Sequence, residues 1–182
     1  MYLTHNTRLE YLKSILNDGE LKSASKSRNL HEGEGVYKPY QQHFVFFSTT
    51  PNLFDPEIAT TVTLYFNLPQ RKRTMYIANV HAANPTKLAE WRTLKGMKYL
   101  RKIPANVSDV ERQKQLMDLY KNSINSPLKG KFFYAFHQVA IKNNFSLKNL
   151  AAISFYTSDK HVYKLIEKIK TEYPNIQIKL QF

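Results

Sequence analysis

The order of elements predicts an α+β protein built on a mainly antiparallel sheet. Three observations carry that expectation. Segments that read as strands and as helices are interspersed, without the regular alternation of a parallel βαβ fold. Residues 176–182 alternate cleanly, with Ile176, Ile178, Leu180 and Phe182 on one side and Gln177, Lys179 and Gln181 on the other. Just before them, Val162, Leu165, Ile166 and Ile169 recur at the spacing of one helix face. No internal repeat and no linker divides the chain, so residues 1–182 are expected to form one domain with helices flanking the sheet.

Each element follows from local chemistry. Tyr2, Leu3 and Thr4 read as a short strand, after which Thr7 caps a helix whose buried face is Leu9, Leu12, Ile15 and Leu16. Gly19 ends that helix, since glycine tolerates the left-handed conformation after a last turn. Residues 20–42 form a long polar loop. Residues 43–47 are a strand with Ser48 at its end, residues 58–67 a strongly β-branched strand, and residues 75–80 another. A short helix is expected within 88–94. Ser108 followed by Glu111 is a capping box that opens a helix running toward Tyr120. Residues 132–141 mix helix and strand signals. A helical turn at 147–150 precedes a strand at 152–155. Ser158 caps the last helix, and Pro174 stops it.

Composition bounds the function. With 42% hydrophobic and 13% aromatic residues, 182 residues can bury a real core. No apolar run approaches the roughly 20 residues that span a bilayer, and the N-terminus does not read as a secretory signal. No membrane partner is expected. The absence of cysteine excludes disulfides, thiolate metal sites and a cysteine nucleophile, and fits a reducing intracellular setting, cytoplasmic or nuclear. The histidines form no His-x-x-x-His pair, so no metal is expected. The net charge of +13 points either to a phosphate-rich partner or to a lysine- and asparagine-rich composition that selects no partner.

Two motifs near the N-terminus carry most of the functional signal. His5-Asn6-Thr7 closes the first strand, and Gly33-Glu34-Gly35-Val36-Tyr37 is a glycine-flanked turn that delivers a tyrosine. Between them lies Ile15-Leu16-Asn17-Asp18-Gly19-Glu20-Leu21. In this order and spacing the chain resembles the ADP-ribosyltransferase superfamily, in the branch that includes the poly(ADP-ribose) polymerases. The likeness covers about the first fifty residues and, less fully, residues 132–156. The chain is also similar to uncharacterised proteins of large DNA viruses, which would set it in an infected host cell.

The resemblance implies an ADP-ribosyltransferase-like fold with a split sheet, and NAD as substrate. His5 would hydrogen-bond a ribose hydroxyl, Thr7 would brace the turn, Tyr37 would stack on the nicotinamide ring, and Ser48, with Thr49 behind it, would line the cleft. The family's catalytic glutamate is matched by Gln138, which can hold a hydroxyl but brings no charge to a developing oxocarbenium ion. Polymer synthesis is therefore the least expected activity, and transfer of one ADP-ribose to a protein or nucleic acid acceptor, NAD hydrolysis, or binding alone are the alternatives. Glu32 or Glu34 could supply an acid from another direction. Taken singly, His5 reads as well as a packed strand-end histidine, Tyr37 as a loop filler, and Gln138 as a surface residue. His5-x-Thr7 also suits the two-histidine phosphoesterases, but the second motif they need is missing. No Gly-x-Ser-x-Gly elbow, phosphate loop or dinucleotide-binding glycine turn occurs.

The basic clusters Arg71-Lys72-Arg73 and Arg101-Lys102, interleaved with Tyr76, Trp91 and Tyr99, suit single-stranded nucleic acid. They suit an exposed face over buried rings equally well. A non-catalytic nucleic-acid-binding or virus–host interaction protein is accordingly the competing expectation.

Overall fold

β-branched and aromatic runs zip into a single large sheet, and the helices cover one of its faces. The structure is a computed structural model that describes residues 1–23, 43–54, 62–69, 73–78, 100–124, 139–157 and 161–181. In chain order the elements are β1 (Tyr2–Thr7), α1 (Leu9–Asp18), β2 (Glu20–Leu21), β3 (Phe44–Thr50), β4 (Val62–Asn67), β5 (Met75–Ala78), β6 (Leu100–Ile103), α2 (Asp109–Ile124), β7 (Val139–Lys142), β8 (Phe145–Ser146), a 3-10 turn (Leu147–Asn149), β9 (Leu150–Tyr156), α3 (His161–Glu172) and β10 (Gln177–Gln181). Eight strands form one sheet in the order β10-β9-β4-β1-β3-β7-β5-β6, while β2 and β8 form a separate pair. Only β9 and β10 run parallel, joined across α3; every other described pairing is antiparallel. The expected α+β class with a mainly antiparallel sheet is what the chain adopts.

Strand alternation sorts the sheet into two unlike faces. Leu3, Val45, Leu64, Met75, Ile141 and Ile153 are buried and share one core with Leu12 and Leu16 of α1, Leu116 and Leu119 of α2, and Val162 and Ile169 of α3. Each such side chain contributes about 1.5–3 kcal/mol on leaving water. The opposite face carries Thr4, Asn6, Thr63, Tyr65 and Ser154 toward β10, and Phe44, Phe46, Tyr76, Lys102 and Lys142 toward β6. On the β10 side that second face is covered too. Thr63 Oγ1 donates to Asn6 Oδ1 at 2.8 Å, and Gln181 Nε2 donates to Ser154 Oγ at 2.9 Å. Phe54, with a left-handed φ of 63°, lays its ring 5.5 Å from that of Tyr65.

Several caps match the sequence. The Gly19 N–H donates to the carbonyls of Ile15 and Leu16 at a φ of 67°, and Ser108 Oγ accepts from the Glu111 N–H at 3.2 Å. Others differ. Thr7 does not cap α1: it is the last residue of β1, paired with Val62, and Arg8 takes the N-cap position with no side-chain bond. A β-branched threonine continues a strand more readily than it turns out of one. Likewise Ser48 lies inside β3, not at its end, because its partner Thr4 extends the ladder to Thr50. The expected short helix at 88–94, strand residues 58–61, 79 and 80, residues 132–138, the Ser158 cap and Phe182 fall outside the described residues.

Candidate functional site

β3 changes partner halfway along. Phe44, Val45, Phe46 and Phe47 pair with β7, whereas Ser48, Thr49 and Thr50 pair with β1. On β1 the pairing to β3 stops at Thr4, while the ladder to β4 continues through His5, Asn6 and Thr7. The sheet therefore splits between the end of β1 and the start of β3. His5 stands at the point of divergence.

Its side chain bridges the split. His5 Nδ1 lies 3.0 Å from the carbonyl oxygen of Phe46. A carbonyl only accepts, so Nδ1 carries the proton in this contact. Burial pushes the pKa of His5 below the ordinary imidazole value, and the Phe46 carbonyl offsets this in part. The neutral ring protonated at Nδ1 leaves Nε2 as an acceptor, suited to a hydroxyl donor. The ring is seated edge-on against Phe47, centroids 5.9 Å apart. Phe47 in turn meets Phe66 and Phe145 at 5.9 and 4.8 Å. The histidine thus stands on a buried aromatic floor, with one nitrogen bonded to the backbone.

Of the other expected site residues, Thr7 ends β1 two positions beyond His5, and Ser48 sits where β3 changes partner. Alternation sets Ser48 with Thr4 on the face opposite His5 and Phe47. Tyr37, Gln138, Arg71 and Lys72 fall outside the described residues. Val139, which follows Gln138 in the chain, pairs with Phe47, the residue whose ring touches His5. Arg73 donates to the carbonyls of Asn144 at 2.9 Å and Lys142 at 2.6 Å. Burial lowers its pKa from the ordinary arginine value. Arg101 and Lys102 are exposed on edge strand β6 and, being consecutive, point to opposite faces. The backbone carbonyl that fixes His5 had no signature in the sequence; nor did the aromatic floor, whose three rings come from three distant strands.

A second feature concerns the ends of the segment between Ser23 and His43. Asn143, in a left-handed turn with φ 66°, donates its N–H to the His43 carbonyl at 2.7 Å. Asn144 Oδ1 accepts from the Ser23 N–H at 3.3 Å, and its Nδ2 donates to Glu20 Oε1 at 2.6 Å. One turn between β7 and β8 thus ties both ends. Among the described residues no three histidine, aspartate or glutamate side chains gather as a metal site. No described helix is long and apolar enough to cross a membrane.

Solved proteins share the overall fold. The chain is similar to Thermus sp. 2.9 DarT in complex with carba-NAD+, with a TM-score of 0.56 at 14% identity, covering 99% of this chain and 95% of that one. The chain shares the fold of DarT. The same protein in complex with NAD+ gives a TM-score of 0.53 at 13% identity over 99% and 94% of the two chains. In complex with ADP-ribosylated ssDNA it gives 0.53 at 12% over 99% and 93%. No protein-family model and no curated protein matches the chain.

Proposed function

We propose that this chain binds NAD in the split of its sheet and transfers a single ADP-ribose to a protein or nucleic acid acceptor. The observation that carries the reading is His5, held by the Phe46 carbonyl with an acceptor nitrogen left over, at the opening of a fold shared with a protein solved with NAD+. In this reading His5 Nε2 accepts a ribose hydroxyl, Tyr37 stacks on the nicotinamide ring, and Thr7 flanks the cleft, while Ser48, on the opposite face, takes no part in it. Gln138 holds the ribose next to the bond that breaks. The neighbour solved with ADP-ribosylated ssDNA favours a nucleic acid acceptor.

Gln138 sets the rate. An anion about 4 Å from the developing cation is worth several kcal/mol at an intermediate effective dielectric, and a neutral amide forgoes it. Each loss of about 1.4 kcal/mol slows the step tenfold. Transfer is therefore slow, and extension to a polymer slower still.

Labelled NAD with single-stranded DNA, RNA and protein acceptors tests this, alongside thermal shifts with NAD. NAD raises the melting temperature of the wild-type chain and of Gln138→Glu, and the shift disappears in His5→Ala and Tyr37→Ala. Gln138→Glu raises transfer by about 100-fold or more. Equal shifts and equal labelling in wild type, His5→Ala and Tyr37→Ala would remove the site.

A further inference from the structure

The face of the sheet turned away from the helices changes character across the split. Phe46, Ala140, Tyr76 and Lys102 form one cross-strand row over β3, β7, β5 and β6, and Phe44 faces Lys142 in the next row. Side chains in one row point the same way, so these residues share a surface. Phe44 and Tyr76 are half-buried, and their rings meet edge to face, centroids 5.5 Å apart. They reach each other across the β7 strand, where the small Ala140 leaves their rings room. Lys102 and Lys142 are exposed beside them, and among the described residues neither pairs with an acid.

We infer that this face, with Phe44 and Tyr76 as its floor and Lys102 and Lys142 as its rim, binds single-stranded nucleic acid. Two chemistries have to coincide for that ligand. Flat apolar rings accept unstacked bases of any sequence, and cations a strand or two away meet the phosphates. A duplex keeps its bases stacked inside and gains nothing from such rings. The charge of the whole chain, +13, has the sign the phosphates require. Lysines on an edge strand also discourage strand-to-strand aggregation. That role accounts for Lys102 but not for Lys142, which lies on β7, inside the sheet. The surface involves neither His5 nor NAD, so it stands or falls apart from the transfer reading.

Fluorescence anisotropy of the full chain tests it without NAD, using labelled twelve-nucleotide oligo-dT and oligo-rU probes, a matched duplex, and polyglutamate as competitor. Phe44→Ala with Tyr76→Ala weakens oligo-dT binding about tenfold or more, while Tyr76→Phe stays within about twofold. Lys102→Glu with Lys142→Glu weakens binding and flattens the slope of log affinity against log salt by about 1.4, two phosphate contacts at about 0.7 each. The lysine pair is exposed, so this double variant keeps the wild-type melting temperature and guards against loss of fold. Unchanged affinity in both double variants overturns the proposal. Duplex binding as tight as single-strand binding also overturns it, as does displacement by polyglutamate at equal charge concentration, which would assign the face to an acidic protein.

Discussion

β4 and the first half of β3 lie in one sheet, with β1 between them, yet the chain treats them differently. β4 is buried at every position from Val62 through Phe66, on both faces. β3 alternates: Val45 and Phe47 are buried, while Phe44, Phe46 and Ser48 are half-buried. On the β10 side of the split, β4 and most of β9 are buried on both faces and act as a frame. On the β6 side the inner face is buried, while on the outer face Phe44, Phe46 and Tyr76 are half-buried and Lys102 and Lys142 exposed. A protein that must hold an open seam in its sheet can do so when one side of the seam is anchored beyond need.

The strongest way to break this contrast is to hollow the frame. Phe66→Ala lowers unfolding free energy by about 3–5 kcal/mol and Leu64→Ala by about 2–5 kcal/mol, measured by chemical denaturation. Costs below about 1 kcal/mol at both sites would show that β4 is no frame. Arg112 sharpens the contrast from the helix layer. It is fully buried; among the described residues its Nη2 reaches the Ala105 carbonyl at 3.3 Å and its Nε and Nη1 find no partner. Replacement of such a desolvated charge by a well-packed apolar chain is neutral or stabilising. Arg112→Met therefore raises stability by about 1 kcal/mol, and a loss of more than about 2 kcal/mol would reveal a partner for the guanidinium. On the open face, Phe44→Ala costs no more than about 1 kcal/mol, because its ring is only half removed from water. A cost equal to that of Phe66→Ala would erase the distinction.

The smallest effect is a slope with pH. The folded state holds the His5 pKa below its unfolded value, so the unfolded chain takes up the proton first as pH falls. Stability contributed by the neutral ring is complete above about pH 6.5 and is lost as pH drops toward the lowered folded value. Denaturation across pH 4–8 shows a shallower decline in His5→Gln than in wild type. Identical slopes would place the His5 ring in water.

What could be read from the residues followed from how local each signal was. The Val162, Leu165, Ile166 and Ile169 stripe, the Gly19 stop and the Ser108 cap depend on neighbours within a turn or two, and all three match the structure. The partner change in β3 was invisible because alternation sets a face and says nothing about which strand lies alongside. The two-residue strands β2 and β8 are too short for any periodicity. His5 stood out through its motif. Its anchor, a main-chain carbonyl of Phe46, carries no residue identity, and the surface made by Phe44, Tyr76, Lys102 and Lys142 assembles from four strands spread over a hundred positions of chain.

The bonds from Asn143 and Asn144 to His43 and Ser23 have an outcome for how such a chain can vary. Both feet of the intervening stretch are pinned to one short turn. That turn, and not the length of chain between them, therefore sets how far apart Ser23 and His43 lie.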